Sequence, residues 1–163
     1  EGQENYLGQP YDPSMLAIST PVPFGKACAA FPDGRRACEP IADGVTSAFP
    51  GTDTHGPTAV VRSSLKVDHT RIRGGLLNLK FHPSALRGES GSKNLLALVK
   101  TYFDGPGFHV QFNVVDSKML RDAQEHPENY RDLVVRVAGF SAYWVEMSRA
   151  LQDQVIARTE HSM

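Results

Sequence analysis

The stretch Val134-Val135-Arg136-Val137-Ala138-Gly139-Phe140-Ser141-Ala142 carries the residues of most chemical interest. A β-branched run suits a buried strand, and it gives way here to a turn of small residues. Gly139 sits at the tip, where glycine permits an unusual φ and close backbone approach. Taken alone, such a glycine ends a strand. Other candidates for chemistry are sparse. Cys28 lies in Ala27-Cys28-Ala29 and Cys38 in Ala37-Cys38-Glu39, and a free thiol in such a setting reads as a small packing residue. His55, His69, His82 and His109 fall at no metal-ligand spacing, and no Glu or Cys sits at a matching offset. No metal site is expected, and the histidines read as solvated or structural. Arg35 and Arg36 could bind an anion but read as surface charge. Asp33 and Glu39 show no paired-carboxylate signature.

The elements that must position these residues alternate between strand and helix. The 163 residues fit one domain with an ordinary apolar core. A short apolar run, Met15-Leu16-Ala17-Ile18, followed by Pro21, Pro23 and Gly25, reads as a strand ending in a turn. Phe31-Pro32-Asp33-Gly34-Arg35-Arg36 is a turn by composition. Residues 39–57 form a long loop punctuated by Pro40, Gly44, Pro50, Gly51 and Gly56. Helices are expected over 58–69, 92–103, 117–125 and 149–159, with Ser117 or Asp116 capping the third and Ser148 the fourth. Strands are expected over 75–81, 108–114 and 133–137. This order favours α/β. The long loop suits a chain draped over a larger body.

Net charge is -1 and no long basic run appears, so no nucleic-acid footprint is expected. No apolar run reaches membrane-spanning length, and no signal-peptide order is seen. Two cysteines make neither a disulfide framework nor a zinc pattern, which points to a reducing cytosol. The opening stretch, residues 1–13, is polar, carries Gly and Pro and lacks an initiator Met. It reads as a linker or as chain from a larger context.

The Gly139 stretch resembles the signature of the glycyl radical enzymes, in which an Arg, a β-branched residue and a small residue precede a glycine and an aromatic follows. Arg136, Val137, Ala138, Gly139 and Ala142 match. The family's usual Tyr is Phe140 here, which keeps the ring and loses the hydroxyl. The likeness extends to Pro32-Asp33-Gly34-Arg35 with Glu39-Pro40 and Asp43-Gly44. It continues through Gly56-Pro57-Thr58-Ala59-Val60, Asn78-Leu79-Lys80-Phe81, His109-Val110-Gln111-Phe112-Asn113 and Leu120-Arg121-Asp122-Ala123-Gln124. The ending, Gln152-Asp153 to Arg158-Thr159-Glu160, is similar too. The resemblance implies a linker or barrel-edge segment over 1–23 and a glycine radical domain over 24–163. The implied fold is α/β: the C-terminal portion of the ten-stranded α/β barrel, with the radical loop inserted toward the barrel centre.

In such enzymes the unpaired electron is stored on the glycine Cα, stabilised by the amide nitrogen on one side and the carbonyl on the other. A side chain would crowd the planar carbon. Gly139 is thus the implied radical site, supported by Arg136, Val137, Ala138, Phe140, Ser141 and Ala142. Phe140, Tyr143 and Trp144 are expected to pack around the loop, and the site is expected to be shielded from oxygen and solvent. No cofactor is bound directly. The implied modification is the radical itself, installed by an activating enzyme that uses an iron–sulfur cluster and S-adenosylmethionine.

The family's catalytic cysteine lies in a Gly-Cys-x-Glu motif that this sequence lacks: neither Cys28 nor Cys38 follows a glycine. The implied partners are therefore a larger chain bearing that cysteine, the activating enzyme and a small-molecule substrate. The chain fits a split enzyme, a free-standing radical protein that repairs a damaged enzyme, or a piece of a full-length one. The first and last are favoured. Residues 109–113 and 135–142 resemble the dehydratase, decarboxylase and C–N or C–S lyase branch more than pyruvate formate-lyase.

Overall fold

Leu77–Phe81 form a strand, β1, that is buried on both faces, and each face has a different use. In the computed structural model, which describes residues 3–11, 13–16 and 20–162, β1 is the middle of a parallel sheet. Its neighbours are β2 (Val110–Val114) and β5 (Glu160–His161). Leu77, Leu79 and Phe81 point one way, as strand alternation requires. They pack on Val60 and Val61 of helix α2 (Pro57–Ser64) and on Leu98 and Tyr102 of α3 (Gly88–Asp104). Helix α3 is also the crossover that parallel β1 and β2 need.

The opposite face of the sheet is polar and still buried. The register sets Asn78 beside Gln111 and Lys80 beside Asn113. Lys80 is 1% exposed, Gln111 8% and Asn113 6%. Polar groups so buried must find hydrogen-bond partners, and the second half of the chain supplies them. This half contains α4 (Ser117–Glu125), a hairpin of β3 (Val134–Arg136) and β4 (Ser141–Tyr143), and α5 (Arg149–Ala157). Its core joins Leu120 and Ala123 of α4, Val135 and Val137, the fully buried Trp144, and Val155 and Ile156 of α5. Asp116 caps α4 by accepting from the Lys118 amide at 2.7 Å, and Ser148 caps α5.

Lys80 ties the two halves together. Its Nζ donates to the Ile156 carbonyl at 3.0 Å and to Ser117 Oγ at 3.1 Å. The carbonyls at a helix C-terminus lack helical donors, so the ammonium satisfies one end of α5. Burial lowers the Lys80 pKa to about 8, against a partly compensating pull from Glu160.

Several expectations need correction. Residues 21–27 are a helix, α1 (Pro21–Ala27), where a turn was expected. Proline is tolerated in the first turn of a helix, where its missing N–H has no partner to lose. Met15 and Leu16 lie outside any strand, with the Met15 amide bonded to the Arg73 carbonyl; Ala17 and Ile18 lie outside the described residues. The helix expected over 58–69 ends at Ser64 and the one over 149–159 at Ala157. The loop over 39–57 holds no strand or helix before Pro57.

Candidate functional site

The β3–β4 hairpin pairs Arg136 with Ser141, Val135 with Ala142 and Val134 with Tyr143. It is closed by the Val137 amide donating to the Phe140 carbonyl at 2.8 Å. Ala138 and Gly139 are the two central residues of that turn. Gly139 has φ +78°, in the left-handed region that glycine enters without steric cost. A Cβ built there would meet no atom within 4 Å. Backbone conformation, rather than space, is the structural reason for glycine at this position.

The loop is anchored by side chains from the polar face of the sheet. Asn113 treats Arg136 as a strand neighbour would: its Oδ1 accepts the Arg136 amide at 2.8 Å and its Nδ2 donates to the Arg136 carbonyl at 2.6 Å. Gln111 Oε1 accepts twice, from Arg136 Nε at 2.8 Å and from the Gly139 amide at 3.2 Å. Arg158, just beyond α5, donates to the Arg136 and Val137 carbonyls at 3.1 and 2.7 Å. Its Nε lies 2.5 Å from Asp43 Oδ2, with both side chains 8% exposed. Burial lowers the Arg158 pKa and the Asp43 carboxylate opposes that shift.

The expected loop residues are thus brought together, with two departures. Val137 is buried, and Ala138 and Ala142 pack on the same core, but Gly139, Phe140 and Ser141 are exposed. Within this chain the glycine has none of the expected shielding. The expected aromatic wall also divides. Trp144 is a core residue at 0% exposure, whereas Phe140 and Tyr143 are 42% and 47% exposed. Strand alternation explains the split on β4: Ala142 faces the core and Tyr143 faces away.

Arg35 was expected at the surface and is 1% exposed. It donates to the carbonyls of Glu39 and Ala29 and lies 4.1 Å from the Phe31 ring centroid. It holds its own loop together, leaving no free guanidinium for an anion. Asp33 and Glu39 accept the amides of Arg35 and Arg36. Cys28 and Cys38 are free thiols.

Among the histidines, His82 meets two carboxylates that no local spacing could reveal. Its Nε2 is 3.7 Å from Asp116 and 3.9 Å from Glu160, and the three could together reach one cation. The opposite atoms of the three side chains are engaged elsewhere, Asp116 Oδ1 in the cap of α4. The His82 Nδ1 accepts from the Ser84 amide, which puts the ring proton of the neutral form on Nε2, toward the acids. Glu160 also accepts from Ser117 and faces the Lys80 ammonium. The trio is a cluster of close polar side chains where β1 and β2 end and β5 begins.

Gln111, Asn113, Asp43 and Arg158 hold the hairpin in place, and the sequence singled them out only within longer family-like segments, with no role of their own. The local signal for Gln111 and Asn113 was two polar residues alternating within an otherwise apolar strand, and that pattern normally marks a solvated face.

Comparison with known proteins gives the family. Residues 42–145 match the glycine radical family, and the chain belongs to it. It is 55% identical to indoleacetate decarboxylase of Tractidigestivibacter scatoligenes, over 98% of this chain and 18% of that protein. It is 45% identical to the 4-hydroxyphenylacetate decarboxylase glycyl radical subunit of Clostridioides difficile, over 99% of this chain and 18% of the relative. The glycerol-bound B12-independent glycerol dehydratase of Clostridium butyricum superposes with a TM-score of 0.91 at 48% identity, covering 99% of this chain and 20% of that structure. The chain therefore spans about a fifth of the length of these proteins, and its mixed α/β fold corresponds to their C-terminal part. Among the described residues, no helix is long and apolar enough to cross a membrane.

Proposed function

We propose that this chain is the radical-storing portion of a glycyl radical lyase, with the unpaired electron held on Gly139. The observation that carries the reading is a glycine at φ +78° on the tip of a hairpin whose outer face is uncovered. Val134, Phe140 and Tyr143 are each between 42% and 48% exposed around it. A stored radical needs shielding from oxygen, and a cluster of exposed apolar side chains suits a surface that another body covers. That body is the larger part of the enzyme, either a continuous segment or a partner chain, and it supplies a cysteine in a Gly-Cys-x-Glu setting. The relatives are about five times as long as this chain, which supports this reading over a free-standing repair protein.

In this reading an S-adenosylmethionine-dependent activating enzyme removes one Gly139 hydrogen atom, breaking the Cα–H bond homolytically. The Cα radical then takes a hydrogen atom from the cysteine thiol. The Cα–H bond re-forms as the S–H bond breaks, and the thiyl attacks a small-molecule substrate. The relatives include decarboxylases, dehydratases and a sulfite-lyase, so the supported reaction class is cleavage of a C–C, C–O or C–S bond next to a substrate radical. Arylacetate decarboxylation is the first substrate class to try. A reducing, anaerobic cytosol suits both the radical and the two free thiols.

Air exposure tests the assignment. After anaerobic activation of the complete enzyme, brief oxygen treatment should cut the backbone at Gly139, and mass spectrometry should find the fragment that begins there. Cleavage elsewhere, or none in material shown to carry a radical, would sink the assignment.

A further inference from the structure

Gln111 accepts the Gly139 amide, and its orientation is fixed from behind. Its Nε2 donates to Asn78 Oδ1, and Asn78 Nδ2 in turn donates to the Asp43 carbonyl at 2.9 Å. Rotating the Gln111 amide by half a turn would set its NH2 against two donors, Arg136 Nε and the Gly139 N–H. Its oxygen is therefore committed to the loop. The residue is 8% exposed, so water does not easily replace it.

We propose that Gln111 is a positioning residue for the radical, its Oε1 accepting the amide proton of Gly139 and tuning the nitrogen that shares the unpaired spin. This rests on Gly139 being the radical site. A Cα radical draws electron density from the adjoining nitrogen, and an acceptor on that N–H makes the nitrogen a better donor. The chain Asp43–Asn78–Gln111 fixes where the acceptor stands, so the amide keeps one orientation. Hydrogen bonds in a buried network reinforce one another. Arg136 adds a second role: its guanidinium at the same oxygen holds the Gln111 amide in place.

The test is electron–nuclear double resonance on the activated complete enzyme, prepared in H2O and in D2O, for wild type, Gln111→Leu and Gln111→Glu. The amide proton is read as the smaller exchangeable coupling, because the Cα hydrogen, whose larger coupling splits the doublet, can also exchange through the cysteine thiol. Glutamate loses the donor to Asn78 but keeps an acceptor oxygen that Arg136 still holds at the loop, whereas leucine has neither. We expect Gln111→Glu to retain the wild-type coupling. In Gln111→Leu it should shift, and the anaerobic radical lifetime should fall about fivefold, the scale of one net hydrogen bond. A general loss of folding would lower radical yield without moving the coupling of the radicals that do form. An unchanged coupling in Gln111→Leu would overturn the proposal, as would a coupling lost equally in Gln111→Glu. Absence of any doublet in wild type would instead refute Gly139 as the radical site, so the two failures are distinct.

Discussion

Arg158 and Asp43 form a buried ion pair, 2.5 Å apart, directly beneath the turn that carries Gly139. The remaining guanidinium nitrogens reach the carbonyls of Arg136 and Val137, so one residue beyond α5 anchors the hairpin. Removing one member of a buried pair leaves the other uncompensated. Arg158→Ala should cost about 3–5 kcal/mol in urea unfolding. It should also raise proteolysis within residues 136–141. Equal stability of the variant and wild type would mean that the pair does not anchor the loop.

Lys80 predicts an unusual pH dependence. Its folded pKa, about 8, lies below its ordinary value of 10.5 because burial disfavours the ammonium. Between these values the unfolded chain binds more protons than the folded one, so stability rises with pH across that window. The contribution is on the order of 1–3 kcal/mol. Urea unfolding at pH 7.5 and pH 10 should show wild type gaining on Lys80→Met by about that amount. A gap that is flat or shrinks with rising pH would contradict this.

Two glycines in the first half of the chain should respond differently to alanine. A Cβ on Gly25, in α1, would run into the backbone of Glu39 and Pro40, and overpacking of this kind costs about 1–3 kcal/mol. Gly34 has φ +97° but open space around it, so Gly34→Ala should cost only about 1 kcal/mol of left-handed backbone strain. Thermal unfolding of both variants checks the order; a greater loss for Gly34→Ala would be inconsistent with this packing.

The aromatic residues after Gly139 should also separate. Trp144→Ala opens a cavity among Leu120, Val135 and Val155 and should cost about 3–5 kcal/mol. Tyr143→Ala should leave this chain's stability within about 0.5 kcal/mol, as is usual for exposed positions. In the proposed reading, Tyr143→Ala weakens instead the association with the rest of the enzyme, measurable as a higher dissociation constant or lower radical yield. Equal destabilisation by the two would contradict the division seen here.

The hairpin tip was legible in the sequence because its features are local: a β-branched run, small residues and a glycine, while only the family resemblance implied a radical there. The helices at 117–125 and 149–157 were legible for the same reason, since Asp116 and Ser148 are good caps. What was hidden depends on contacts distant in sequence. The alternation of Gln111 and Asn113 marks a polar face, but not that the hairpin and Arg158 bury it. Strand β5 is only two residues long and exists by pairing beside β1, with no propensity of its own to announce it. Helix α1 was masked by Pro21 and Pro23, which read as turn residues until their place in a first turn is known.

The central claim concerns Gly139 itself, and the hairpin tip makes its replacement informative. Because a Cβ there meets no atom, Gly139→Ala costs about 1–2 kcal/mol of backbone strain and keeps the fold. Electron paramagnetic resonance of the complete enzyme after anaerobic activation should show the glycyl doublet in wild type. Folded Gly139→Ala should show none. A doublet that persists in Gly139→Ala would place the radical elsewhere and contradict this account.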